Sequence, residues 1–121
     1  DTSATSVRIN WNEGGTDMSN EQLFPPLVAA TVPKLYSQEG VGLDAIVRVK
    51  FFQPWGSWTW YITEYDGDDT LFGLVDGFEE ELGYVSLSEL RSIRGPGRLR
   101  IERDTHWTPK PLRDCYRKRQ I

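Results

Sequence analysis

Residues 61–84 read YITEYDGDDTLFGLVDGFEEELGY and hold eight carboxylates with no Lys, Arg or His. Four of them, Glu64, Asp66, Asp76 and Glu81, are the candidates for chemistry. Side chains alternate along a strand. Trp58, Trp60, Ile62 and Glu64 therefore share one face of a run over 58–65, and Thr70, Phe72, Leu74 and Asp76 share one face of a run over 70–76. Each apolar row ends in a carboxylate. If both rows face a core, Glu64 and Asp76 sit at its rim, with Asp66 and Glu81 in reach, and register decides which end of the sheet each occupies. Burial and like-charge neighbours would raise the pKa of one of them, as acid/base work requires. A hydrolase or nuclease, assisted by Mg²⁺ or Mn²⁺, is one reading. The calcium-loop spacing is absent, so no metal or cofactor is assigned. The plainer reading makes Asp66, Asp68 and Asp69 turn formers and leaves Glu79 and Glu80 in solvent.

Other reactive types are sparse. His106 is the only His and Cys115 the only Cys. Neither sits in a nucleophile motif, so His106 reads as a packed or surface residue and Cys115 as a surface thiol, although the basic tail around Cys115 would favour its thiolate. A lone Cys excludes an internal disulfide and Cys-rich zinc patterns, which suits a reducing, cytoplasmic setting. No apolar run approaches the ~18 residues of a membrane span, and no signal-peptide pattern is seen. Charge is polarised. Residues 1–89 hold 15 Asp and Glu against 4 Lys and Arg, and residues 90–121 hold 3 against 10. The basic third offers Arg94, Arg98 and Arg100 to phosphates and Trp107 for stacking, a nucleic-acid reading without a recognised motif.

The elements that position these residues follow from pattern. At 121 residues the chain suits a single domain. Residues 1–17 read as a weakly ordered extension and 18–121 as one α+β domain with a basic C-terminal tail. Ser19 and Gln22 fit a capping box opening an N-terminal helical segment. Prolines break that segment, and Leu27, Val28, Thr31 and Leu35 form its apolar stripe. Strands are predicted over 45–52, 58–65, 70–76, 81–86 and 98–104, joined by short turns as an antiparallel meander. Gly73 inside the third predicts a bulge or a close neighbour. Ser86 and Glu89 form a capping box for a short helix near residues 87–94, with Gly95 to end it.

The motifs TWYITEYD, FGLVDG, ELGYVSLSEL, SIRGP and IERD together resemble a family of small bacterial proteins catalogued only as a domain of unknown function. The resemblance spans about residues 27–112. It implies that Trp60, Glu64, Asp66, Phe72, Gly73, Asp76, Glu81, Gly83, Tyr84, Ser86, Glu89 and Arg94 are recurring positions. It also implies a setting on mobile DNA such as plasmids and integrative elements. Gly97 to Arg100 depart from the family's usual Leu-Gly-Leu-Pro, and Val75 stands where a Cys is common.

The leading expectation is a non-enzymatic interaction module carried on mobile DNA. It would bind a basic protein partner through an acidic, aromatic-edged face of Trp60, Glu64, Asp66, Asp76, Glu81 and Tyr84. The carboxylate hydrolase and the basic nucleic-acid surface are the alternatives.

Overall fold

Runs of β-branched and aromatic residues joined by short turns pair as antiparallel neighbours. The computed structural model describes residues 23–117. The extension over 1–17, the Ser19–Gln22 capping box and the last basic residues lie outside them. In chain order the strands are β1 (Ile46–Val47), β2 (Val49–Phe52), β3 (Thr59–Tyr65), β4 (Thr70–Asp76), β5 (Glu80–Ser86), β6 (Glu102–Arg103) and β7 (Lys110–Pro111). Five form one sheet in the order β5-β4-β3-β2-β6, and β1 pairs with β7 in a second, two-stranded sheet. Every strand pairing is antiparallel. The described helices are short: α1 (Pro26–Ala29), α2 (Leu87–Ser92) and single 3-10 turns. The architecture is thus broadly α+β with the sheet dominant.

Three sequence expectations need correction. The run over 45–52 is not one strand. Val47 is buried with Ala45, Leu74 and Leu112, whereas Val49 and Phe51 are buried in the opposite cluster. Residues two apart on an unbroken strand would share a face, so the chain must turn over at Arg48. The strand expected over 98–104 shrinks to Glu102–Arg103 because Pro96–Arg98 forms a 3-10 turn, with Gly97 and Arg98 both at φ 66°. Leu27 is 86% exposed, since a four-residue helix starting at Pro26 is too short to present a stripe.

A bulge decides which residues share a face. Ile62 lies opposite Gly73 and Glu64 lies opposite Phe72, so Thr63 is an extra residue in β3. Residues directly opposite in an antiparallel pair point the same way. Trp60, Ile62, Leu71 and Val75 therefore face one side, where they pack with Val49, Phe51, Phe24, Leu87, Leu90 and Ile101. Tyr61, Glu64, Phe72, Leu74 and Asp76 face the other. There Leu74 packs with Ala45, Val47, Leu112 and Cys115, sealed by Tyr61 and Trp107.

The Ser86 capping box forms in part: Ser86 Oγ accepts from Glu89 N at 3.2 Å. Asp69 reinforces the same helix start from the β3–β4 turn. Its Oδ1 accepts from Ser88 N at 2.7 Å, and its Oδ2 accepts from Ser86 Oγ at 2.7 Å. The helix ends at Ser92 with Ile93 as its cap, ahead of Gly95. Asp66 shapes the turn, its Oδ1 accepting from the backbone N–H of Asp68, Asp69 and Thr70 at 2.8–3.0 Å. Backbone donors hold the Asp66 carboxyl below its ordinary value, and the Ser86 hydroxyl followed by the Ser88 N–H does the same for Asp69. A lowered folded pKa gives stability that is present above the unfolded value and lost as pH falls through the folded one. Wild-type stability should therefore decline below about pH 4, and the double variant Asp66→Asn/Asp69→Asn should show a shallower decline. Urea midpoints measured from pH 5 to pH 2 check this. Parallel slopes would refute it.

Candidate functional site

Glu64 is 3% exposed, and the cause lies in the bulge and a distant loop. Tyr65 N donates to Pro33 O at 2.9 Å, which lays the segment after Pro33 along the end of β3. Tyr36 N then donates to Glu64 Oε1 at 2.7 Å, and Gln38 N donates to Oε2 at 2.8 Å. Tyr36 adopts φ 70°, the left-handed region that a non-glycine residue seldom occupies. Alternate N–H groups around such a residue form a concavity that holds an anion. Here the anion is the protein's own carboxylate. Glu64 makes no ion pair among the described residues.

Beside Glu64 lies a cavity of about 320 Å³. Tyr36, Phe72, Leu82 and Tyr84 wall it, with Leu43, Ala45 and Leu112 deeper and Glu39 among its polar lining. The Phe72 and Tyr84 rings stand 5.0 Å apart at 59°, and Tyr36 and Tyr84 stand 6.4 Å apart at 65°. Local desolvation pushes the Tyr84 phenol above its ordinary pKa, followed by its hydrogen bond with Tyr36 and the charges of Glu39 and Glu64. A concave, mostly apolar hollow with a few polar groups is what small ligands and inserted side chains occupy.

The second feature is an edge. No strand pairs with the outer side of β5 among the described residues. Leu82 and Tyr84 on one face are 46% and 58% exposed. On the other face Glu81 and Gly83 border a groove of about 430 Å³ with Trp58, Val75 and Phe78. Phe78 is 90% exposed and meets Trp58 edge-on at 5.3 Å. The side chains of Glu39, Glu79 and Glu81 make no ion pair among the described residues.

The four proposed carboxylates do not converge. Glu64 lies opposite Phe72 and Asp76 lies four residues further along β4, roughly 13 Å at strand rise. Asp66 is in the turn beyond Glu64. Glu81 lies opposite Val75 and so faces the other side. The assumed parity fails because the extra Thr63 moves Glu64 off the Trp60–Ile62 face. No group of three or more His, Cys, Asp or Glu positioned for a metal occurs among the described residues. The carboxylate-hydrolase reading needed three to converge and is not carried forward. Asp76 is engaged by Arg117, whose Nε is 3.1 Å from Oδ1. Burial still pushes the Asp76 carboxyl up, Arg117 opposing and Glu80 adding to the rise.

Trp60 is 6% exposed and cannot meet a partner, whereas Tyr84 and Glu81 are on the surface. Trp107 is no free stacking platform. Its Nε1 donates to Val47 O at 2.9 Å, Tyr61 packs on it, and Lys50 and Lys110 sit over its ring at 5.6 and 4.8 Å. Arg94 Nη1 is turned back onto Arg91 O and Ile93 O. Arg98 and Arg100 border a separate groove with Leu99, Ile101 and Arg103. Trp107 and Arg94 are thus engaged within the protein, whereas Arg98 and Arg100 line that groove. The clamp on Glu64 had no side-chain signature, because its donors are backbone N–H groups.

The expected surface thiol at Cys115 is also corrected. The residue is buried, and burial raises its thiol from 9.0 to about 11 against the opposing pull of Lys110. At pH 8 the thiolate fraction falls about 100-fold relative to an ordinary thiol. Alkylation by iodoacetamide in the folded protein should be slower by at least about that factor than in urea. Comparable rates would contradict the burial.

No helix among the described residues is long and apolar enough to cross a membrane. The profile of the family described as a protein of unknown function, DUF2958, matches residues 25–118, and the chain belongs to that family. No curated protein and no solved structure matches the chain.

Proposed function

We propose that this member of the DUF2958 family is a docking module that receives an extended, basic segment of another protein along the free edge of β5. The observation that carries the reading is β5 itself, seven residues long and unpaired on its outer side among the described residues. An exposed edge presents backbone donors and acceptors that pair with an added strand, and pockets for alternate side chains give selectivity. β5 has an apolar hollow on each face. Glu39, Glu79 and Glu81 supply the negative charge that favours a basic partner. The expected acidic, aromatic-edged surface is thereby narrowed to Glu79, Glu81, Leu82 and Tyr84, with Phe78 at the hairpin tip. Trp60, Glu64 and Asp66 act beneath or beside it. In the mobile-DNA setting that the sequence resemblance implies, such a segment would belong to a host factor.

A fluorescein-labelled decapeptide of alternating Lys and Val should bind, and its Glu/Val counterpart should not. Glu79→Lys/Glu81→Lys should weaken binding of the Lys/Val peptide by at least about tenfold. Bound peptide should slow hydrogen exchange in β5. Equal binding of the two peptides, or protection elsewhere with β5 unaffected, would overturn the reading.

A further inference from the structure

We infer that the cavity behind Tyr36, Phe72 and Tyr84 is a cation cage that takes the alkylammonium of a single lysine side chain. The inference rests on the edge-docking reading for the source of that lysine, while the chemistry of the cavity is argued separately. The first observation is electrostatic. Glu64 is nine-tenths buried and accepts one hydrogen bond on each oxygen, both from backbone N–H groups. An ionised carboxylate has about four acceptor sites, so each oxygen keeps capacity. Buried charges are ordinarily paired. Glu64 has no cationic partner among the described residues, so the hollow beside it borders a carboxylate held by backbone N–H groups without a counter-charge among those residues.

The second observation is the wall. Three aromatic rings line one cavity at mutual tilts of 59° and 65°, which turns their edges and faces in several directions. Ring faces attract cations, most strongly where water is excluded, and such rings recognise alkylammonium groups. Leu82, half-exposed on β5 at the same cavity, gives the carbon stem of a lysine an apolar surface to lie on. Glu39 stands at the same cavity as a further negative group. A neutral apolar side chain would leave the electrostatic half of this lining unused, and an acidic one would oppose it.

The third observation is register. Leu82 and Tyr84 share the face of β5 that borders the cavity, opposite Leu74 and Phe72. A strand added to the edge places its residue opposite one of these two on that same face. One lysine of a docked strand thus reaches the cage, and its sequence neighbours point away from it.

The test replaces single lysines of the Lys/Val decapeptide with norleucine, which keeps the stem and removes the charge. One position should lose about tenfold in affinity for the wild-type protein. That difference should collapse to less than twofold in Tyr84→Leu, a variant at an exposed position. Butyltrimethylammonium chloride, followed by aromatic NMR shifts, is the second probe, and it should perturb Tyr36, Phe72 and Tyr84 in the wild type alone. If peptides dock on β5 and no norleucine costs more than twofold, the cage is refuted while edge docking stands. If no peptide docks but the ammonium shifts those three rings, the cage stands and edge docking is refuted. If neither probe binds, both are refuted.

Discussion

Replacing Glu64 with alanine is expected to lower unfolding free energy by about 3 kcal/mol, a large part of the stability of a small protein. Two charge-assisted hydrogen bonds, at roughly 1.5–3 kcal/mol each, are lost, and relief of a desolvated carboxylate offsets part of that. The loss also frees the loop that the carboxylate holds, since Tyr36 N and Gln38 N have no other acceptor among the described residues. Glu64→Gln keeps one acceptor and should fall between. Glu81→Ala, at an exposed position, should stay within about 0.5 kcal/mol. Urea denaturation gives the energies, and exchange of the Tyr36 and Gln38 amides shows whether the loop is released. An alanine variant as stable as wild type would remove the clamp from the account, and with it the preformed cavity.

Gly73→Ala is expected to cost about 3 kcal/mol or more. A Cβ at this position would collide with the Tyr61 carbonyl oxygen and stand 2.8 Å from Tyr61 C and 2.9 Å from Ile62 Cα. These are backbone atoms beside the bulge, so no rotamer change relieves the clash. Gly83 is the internal control, ten residues on and paired with Gly73 across the hairpin. A Cβ there meets nothing within 4 Å. Gly83→Ala should be neutral or slightly stabilising, because it narrows the unfolded ensemble. Thermal unfolding of the two variants side by side checks the contrast. Equal melting temperatures would mean that β3 and β4 do not approach as closely as the register requires.

The β4 strand over 70–76 and the helix start at Ser86 are legible in the chain because local chemistry suffices for both. A β-branched and aromatic run lies between Asp-Gly turns in one case, and a capping serine precedes an apolar stripe in the other. Gly73 also signals its own reason, since a missing side chain inside a strand marks a close approach. The face assigned to Glu64 is not legible. Alternation carries parity along β3 only while no residue is inserted, and the insertion at Thr63 depends on pairing with β4. Four carboxylates near one another in sequence were thus divided between the two ends and the two faces of a hairpin. The break at Arg48 is hidden for a related reason: Val47 and Val49 look alike in sequence and differ only in which core receives them. The cavity is hidden because Tyr36 and Tyr84 stand 48 residues apart in the chain, and nothing local announces that they meet.

The β1–β7 seam joins Ile46 to Pro111, partners separated by most of the described chain. During synthesis the β2–β3, β3–β4 and β4–β5 pairings can all form once Ser86 has cleared the ribosome, and only β6, on the outer side of β2, is still to come in that sheet. The cluster around Val47 and Leu74 must wait for Trp107 and Leu112. Until they arrive, one side of the nascent sheet stays greasy and uncovered, a window in which chaperones or aggregation partners compete for it. A premature stop near residue 105 would make that window permanent.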